Sequence, residues 1–349
     1  MKRHTSSILA GILLLLTACA PAAASPTAAP TEVPEPTATP QPVTLKVGIL
    51  GYMSNSPLFI AQEEGYFGEQ DLQVELVDFG FTERDMVPAG IQGQIDVMAV
   101  STNVGLLSAI EQGANVRYVA DKGFANPSGC SSDGFLASKS MLDSGALAEP
   151  SGLRGKKVVL FSGNAFEYAH DLMLAKAGLT NDDLQIESVF DAAARNEGLG
   201  AGTIDVTVHG EPWITRARDA GVGDLWLPLS ELLPNASIAG IVYGPGMLDR
   251  PEDLGVRFMA AYLKGVGHFL NDRSDRTVEI IAEYTHLSPE EIRGVCWNSI
   301  HPDGKIDPDG LAGFLAWAHD KGYTETELRI DQVWDPRFVV QAYPQLGNN

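Results

Sequence analysis

The sequence predicts an α/β protein built as two lobes, each a parallel-rich sheet flanked by helices. Three observations carry that expectation. The chain has 349 residues, too many for one ordinary domain and right for two. Its 44% hydrophobic and 20% charged content is that of a folded globular protein. Short apolar runs of strand type repeatedly end in a Ser/Thr/Asn-rich loop that opens a helix, the alternation that produces parallel sheets.

The first residues precede that pattern. Lys2, Arg3 and His4 form a positive start, and Ile8 to Leu16 an apolar core too short to span a bilayer as a mature helix. The end, Leu16-Thr17-Ala18-Cys19, resembles the lipobox of bacterial lipoprotein signals. The resemblance implies a diacylglyceryl thioether on Cys19 and cleavage before it. Acyl chains at about 0.8 kcal/mol per buried CH₂ would then hold the chain on the extracytoplasmic face of the cell membrane. An ordinary secretory signal cut near Ala20 or Ala23 is the alternative, disfavoured because Cys19 directly follows the apolar core. Residues 1–19 are therefore read as signal. Residues 20–43, rich in Pro, Thr and Ala, cannot build a core and are read as an extended tether.

Leu45, Val47 and Ile49 alternate with Lys46 and Gly48, a strand. Gly51 to Ser56 is a polar loop in which Ser54, Asn55 and Ser56 are placed to cap a helix. Pro57 opens that helix, and Gly65 supplies a left-handed end. Asp71 to Phe79 is the next strand, and Arg84 to Gln92 a helix weakened by Pro88 and Gly90. Ile95 to Val100 is a strand ending at Ser101-Thr102-Asn103, followed by the helix Val104 to Gln112 and the strand Val116 to Ala120. Turn residues dominate from Asp121 to Asp133, where the first crossing between lobes is placed.

Gly134 to Ser138 reads as a strand and 141–152 as loop. Lys156 to Phe161 is a strand ending at Ser162-Gly163-Asn164-Ala165, then comes the helix Phe166 to Ala177. Leu184 to Phe190, Ile204 to Val208 and Leu225 to Leu229 read as strands, Ala192 to Gly200 and Ile214 to Ala220 as helices. Ile238 to Tyr243 is the strand on which the chain returns to the first lobe. The helices Leu254 to Asn271, Thr277 to Thr285, Pro289 to Val295 and Asp309 to Lys321 are expected to pack on that lobe, with Asp307 as the cap of the last. The lobes are accordingly 44–125 with 240–349, and 126–239.

In open α/β sheets, ligands bind in loops beyond the carboxyl ends of the strands. Three loops share one chemistry here: Tyr52 to Ser56, Ser101 to Asn103, and Ser162 to Ala165. One such loop is only a capped helix; three, split over two lobes, point to a cleft. A fourth candidate is His209 to Trp213, where Glu211 and Trp213 are equally well read as a salt-bridged carboxylate and a core ring. The expected ligand contacts are Tyr52, Ser54, Asn55, Ser56, Phe81, Ser101, Thr102, Asn103, Ser162, Gly163, Asn164, Phe166, Glu211 and Trp213. Arg84 and Lys122, the nearest basic residues, are read as surface.

Pro57-Leu58-Phe59-Ile60-Ala61 with Gly65-Tyr66-Phe67, and then Leu72-Gln73-Val74-Glu75, resembles the extracellular solute-binding proteins of ABC importers. More narrowly, it is similar to the family binding alkanesulfonates, nitrate, taurine and thiamine-pathway pyrimidines. The likeness continues at Gly90 to Val97, at Gly152 to Val158 and at Glu211-Pro212-Trp213, covering most of 44–270. It implies a type II periplasmic-binding-protein fold, a small-molecule ligand trapped between lobes, and permease and ATPase partners. No lysine or arginine lies in the loops, whereas Tyr52, Phe79, Phe81, Phe124, Phe166, Tyr168 and Trp213 lie in or beside them. Rings stack on aromatic faces, and Ser, Thr, Asn and Glu suit hydroxyl and imide groups. Within the family this favours a vitamin or precursor: riboflavin first, the thiamine pyrimidine or an alkanesulfonate, nitrate or taurine as alternatives.

Other classes are disfavoured. A formal net charge of -21 argues against nucleic acid. No CxxC pair or HExxH signals a metal site, and no cofactor is implied. Lys305 spoils the calcium-loop pattern of Asp303 to Gly310, which reads as a turn plus cap. Ser162, His170 and Asp171 hint at a triad, but His170 falls inside a helix and no G-x-S-x-G elbow exists. The chain is thus read as a monomeric binding protein and not an enzyme, an anchored enzyme or a sensory receptor domain being the competing classes. Cys130 and Cys296 could pair, since an exported chain meets a compartment that permits disulfides; being far apart in sequence, they are read first as two buried free thiols.

Overall fold

A computed structural model describes residues 42–189 and 191–346. The signal, Cys19 and nearly all of the tether lie outside the described residues. The described chain forms two five-stranded sheets. The first half runs β1 (Val43–Ile49), α1 (Ser56–Glu63), β2 (Leu72–Asp78), α2 (Met86–Ile91), β3 (Val97–Ser101), α3 (Val104–Glu111) and β4 (Arg117–Phe124). The second set is β5 (Asp133–Ser138), α4 (Lys139–Asp143), β6 (Lys157–Val159), α5 (Ala165–Ala177), β7 (Gln185–Glu187), α6 (Ala192–Ala201), β8 (Val206–Gly210), α7 (Trp213–Asp219) and β9 (Gly223–Pro228). Then follow β10 (Ser237–Tyr243), α8 (Pro245–Leu248), α9 (Glu252–Asn271), α10 (Asp275–Thr285), α11 (Pro289–Gly294), α12 (Pro308–Asp320), α13 (Ile330–Val333) and α14 (Arg337–Ala342).

The sheets share one plan. Their orders are β2-β1-β3-β10-β4 and β7-β6-β8-β5-β9. In each, the first three strands are parallel, and the fourth is antiparallel to both its neighbours. That antiparallel strand, β10 or β5, is the one arriving from the other sheet. The two crossings pair with each other through Ala125 N–H to Ala236 O (3.0 Å) and Asn235 N–H to Ala125 O (2.8 Å).

Strand alternation sets the packing. In β3, Val97 and Ala99 face a core with α1, α9 and α10, while Met98 and Val100 face α2, α3 and α12. In the second sheet Phe135 and Ala137 join α5, and Leu136 joins α6 and α7. Gly265 lets α9 press on α1, since a Cβ there would lie 2.2 Å from the Pro57 carbonyl oxygen.

Three expectations need correction and one, for α12, is met and extended. Strand β4 does not stop at Ala120; pairing of Asp121, Gly123 and Phe124 with β10 extends it through the turn-rich stretch. The expected loop 141–152 contains the end of α4, capped by Ser138. Helix α12 packs on the first sheet but also on α5: Trp317 donates to Asp171 (2.7 Å), and Lys321 pairs with the same carboxylate at 2.9 Å. Cys130 and Cys296 form a disulfide, with Cys130 exposed. The fold brings together residues 166 apart, which sequence distance alone does not reveal.

Candidate functional site

The loop after β3 and the loop after β6 meet directly. Val104 N–H donates to Gly163 O (2.9 Å) and Ala165 N–H to Thr102 O (3.1 Å), and Asn103 and Asn164 form a bridge. Gly163 has φ +80° and sits where a Cβ would be 3.0 Å from Val104. Two of the loops anticipated from sequence therefore converge across the sheets.

Much of their polar chemistry is already used. Asn103 caps α3 through Leu106 N–H (3.0 Å), and Asn164 caps α5 through Phe166 N–H (3.0 Å). Glu83, on the loop after β2, accepts from Ser101 N–H (2.5 Å), Ser101 Oγ (2.8 Å) and Asn103 Nδ2 (3.3 Å). Burial raises the Glu83 carboxyl, and its Ser101 bonds oppose that. Thr102 donates to Ser237 O (3.1 Å). Ser162 is exposed and Phe166 packs half-buried against the core of the second sheet.

At the first loop, Tyr52 packs edge-on against Phe81 at 5.2 Å and donates to the Phe81 carbonyl at 3.1 Å. Phe81 itself is 54% exposed. Asn55 stands at the N-cap of α1, yet no side-chain cap bond forms, contrary to the capping expected of Ser54 to Ser56. Asn55 and Ser56 are fully buried, and their side-chain polar atoms have no partner among the described residues.

Lys122 overturns the surface reading. It is 3% exposed, on the extended end of β4, and its Nζ donates to Ser54 Oγ at 3.0 Å. Burial lowers its ammonium to about 8, against the pull of Glu83, Asp133 and Asp121. Arg84 is exposed, as expected. The absence of basic residues from the loops was thus no guide to the cleft.

From the second sheet come Asp133, Arg195, His209 and Glu211. Burial raises Asp133 to about 6; Ser132 donates to it at 2.6 Å, and the Glu211 charge pushes the same way as burial. Glu211 makes no ion pair among the described residues. It accepts from Thr215 Oγ1 (2.9 Å) and Thr215 N–H (3.1 Å), and burial raises its carboxyl. Trp213 is half-buried, beside His209 at 6.2 Å and under the Arg216 guanidinium at 4.7 Å. Arg195 is 5% exposed and lies over the Phe161 ring at 4.4 Å.

Tyr52 on the first sheet feels the charges of Arg195 and Asp133 on the second, after the dominant effect of its own burial, which raises its phenol. The cluster therefore spans both sheets. Sequence reading missed Glu83, Lys122, Asp133, Arg195 and His209. His209 opened the candidate loop His209 to Trp213 but was not among the expected contacts. Arg195 sits inside a helix, where an arginine ordinarily faces water, so no local signal marked it. Among the described residues no His/Cys/Asp/Glu group is placed to hold a metal ion, and Asp307 caps α12 through Gly310 N–H (2.7 Å). His170 lies in α5, its ring bonded to Asn181 (2.9 Å).

The family described as NMT1/THI5 like matches residues 53–275. Riboflavin-binding protein RibY of Chloroflexus aurantiacus is 27% identical over 295 residues, 81% of this chain and 80% of that protein. The ligand-binding component of an ABC-type import system from Staphylococcus aureus has a similar fold: TM-score 0.68, 16% identity, 86% of this chain and 99% of that one. So does the periplasmic aliphatic sulphonate binding protein SsuA from Escherichia coli: TM-score 0.67, 16% identity, 85% and 93% covered. The fold is accordingly that of type II periplasmic binding proteins.

Proposed function

This chain belongs to the NMT1/THI5-like family, and on that premise we propose that it is the lipid-anchored substrate-binding component of an ABC importer. It captures a small heteroaromatic ligand, riboflavin foremost, and delivers it to a permease driven by an ATPase. The observation that carries this reading is the meeting of buried polar groups and aromatic rings from two separate sheets. Tyr52, Ser54 and Lys122 stand on one side, and Asp133, Arg195, His209 and Glu211 on the other. Such a site is complete only when the sheets approach, as hinge closure on a ligand requires. The halves that close are 44–125 with 240–349, and 126–239, moving about the paired crossings at Ala125 and Ala236. The curated relative that binds riboflavin supports the lead ligand.

The contacts of this site are drawn from the expected set, with Tyr52, Ser54, Glu211 and Trp213 retained, and Lys122, Asp133, Arg195 and His209 added. Ser101, Asn103 and Asn164 shape it through their internal bonds. Calorimetric titration of the full chain with riboflavin, the thiamine pyrimidine and butanesulfonate tests the ligand. Saturable heat with riboflavin, and loss of flavin fluorescence against an aromatic ring, is the expected result; heat with butanesulfonate alone moves the chain to the sulfonate-binding members. The anchor has its own test. Cys19→Ala is expected to shift the protein from the membrane pellet to the soluble fraction, and an unaltered distribution removes the lipid.

A further inference from the structure

Two buried side chains of the second sheet and its helix α6 keep polar atoms without a partner among the described residues. Arg195, in α6, keeps Nε and Nη1 buried with no partner among the described residues. His209, on β8, is 3% exposed, and neither ring nitrogen has a partner among the described residues. Buried polar atoms are ordinarily satisfied, and unpaired guanidinium N–H groups are among the costlier exceptions. Among the described residues no carboxylate pairs with Arg195, although Asp133 is on β5 and Glu211 directly follows β8. Its guanidinium lies over the Phe161 ring at 4.4 Å, a contact that restrains its plane.

The complementary chemistry follows from the inventory of groups. Arginine only donates, whereas a neutral imidazole donates from one nitrogen and accepts at the other. His209 is neutral: burial first, and then the Arg195 charge, push its pKa down to about 2. Together they supply several donors and one acceptor. That set matches an edge carrying a carbonyl, an N–H and a second carbonyl. An anion would also welcome Arg195, but it would face a carboxylate surplus: Glu83, Asp121, Asp133 and Glu211 against Lys122 and Arg195. A neutral edge takes the donors without that repulsion.

We propose that Arg195 and His209 are the specificity-determining pair of the cleft and read the imide edge of a planar ring, the chemistry of a pyrimidinedione. This rests on the reading of the inter-sheet cleft as the ligand site. The Tyr52 phenol on the first sheet feels the Arg195 charge, and Trp213 flanks His209. The ring is held on its faces by aromatics, and its identity is checked at its edge.

The test uses the full chain with riboflavin, 3-methylriboflavin, whose imide N–H is blocked, and butanesulfonate. It compares the wild type with Arg195→Met, which keeps the stem and removes the donors. Expected are riboflavin binding by the wild type, at least tenfold weaker binding of 3-methylriboflavin, and at least thirtyfold weaker riboflavin binding by R195M. The 3-methylriboflavin comparison needs no variant, so it stands even if R195M folds poorly. Equal binding of both flavins overturns the imide proposal and leaves the flavin receptor intact. So does an R195M affinity equal to the wild type's. Butanesulfonate binding that depends on Arg195, with no flavin binding, makes Arg195 an anion anchor and overturns the proposal together with the riboflavin lead. Failure of every probe on the wild type overturns both as well.

Discussion

Glu83 accepts three hydrogen bonds from Ser101 and Asn103, and those donors are thereby withdrawn from a ligand. Its role is to hold the loop after β3 in shape. Glu83→Ala leaves the three donors without their carboxylate and is expected to cost about 2 kcal/mol, read as a lowered melting temperature by calorimetry. Asp133 makes a pH-dependent contribution with a definite sign. Burial raises its folded pKa to about 6 from an ordinary 3.8, so the folded state holds the proton more tightly. The wild type is then favoured as pH falls from about 6 to about 4, and that advantage is lost as pH rises through 6. Compared with Asp133→Asn, which cannot titrate, the wild type should gain in melting temperature over that acid window. Parallel melting curves against pH would remove the burial argument.

Helix α12 is the element whose role changes most. Its Phe314 and Trp317 rings lie 6.0 and 5.4 Å from Tyr168 of α5, Trp317 donates to Asp171, and Lys321 pairs with Asp171. Tyr323, just beyond it, donates to Glu167 at 2.8 Å, and Glu167 accepts from Gly163 N–H in the cleft loop at 2.5 Å. A C-terminal helix seated on the first sheet thus fastens the element that follows the loop after β6. Trp317→Ala removes the ring contacts and the bond to Asp171. Because the ring is only half-buried, the expected loss is about 2–3 kcal/mol, at or below the low end for a buried aromatic. Faster ligand release should accompany it, measured by stopped-flow. A stability loss with an unchanged off-rate would confine α12 to packing.

At the scale of the molecule, the covalent Cys130–Cys296 link joins the first crossing to the segment beyond α11, on the side where Asn298 donates to Ser132 (3.1 Å) and Arg216 pairs with Glu291 (2.6 Å). The link closes 166 residues, so in the chain-entropy picture it chiefly restrains the unfolded chain. Reduction, or the double change Cys130→Ser with Cys296→Ser, is expected to cost about 2–5 kcal/mol, seen as a lower denaturant midpoint. An identical midpoint with and without reductant would remove that stabilisation.

Local pattern was enough for most of the elements. The alternation in Leu45 to Ile49, the Asn103 and Asn164 caps and the Gly178 end of α5 are set by neighbours a few residues away, and they stand where periodicity places them. The meeting of the loops after β3 and β6 was legible too, because cap residues after strands mark the ligand edge of a sheet. What sequence could not reach depends on partners far along the chain. Lys122 became interior because β10 extends β4 over a stretch that locally reads as turn. Arg195 became interior because α6 packs it over the Phe161 ring rather than presenting it to water. The cysteines paired because the crossing and the α11 segment are neighbours only in three dimensions. By itself, then, the sequence determined the α/β alternation and the polar loops, consequences of short-range propensity and hydrophobic period, and its motifs carried the resemblance to the family. Only the tertiary structure decided which charges the cleft encloses, since burial and charge pairing are properties of the assembled sheets.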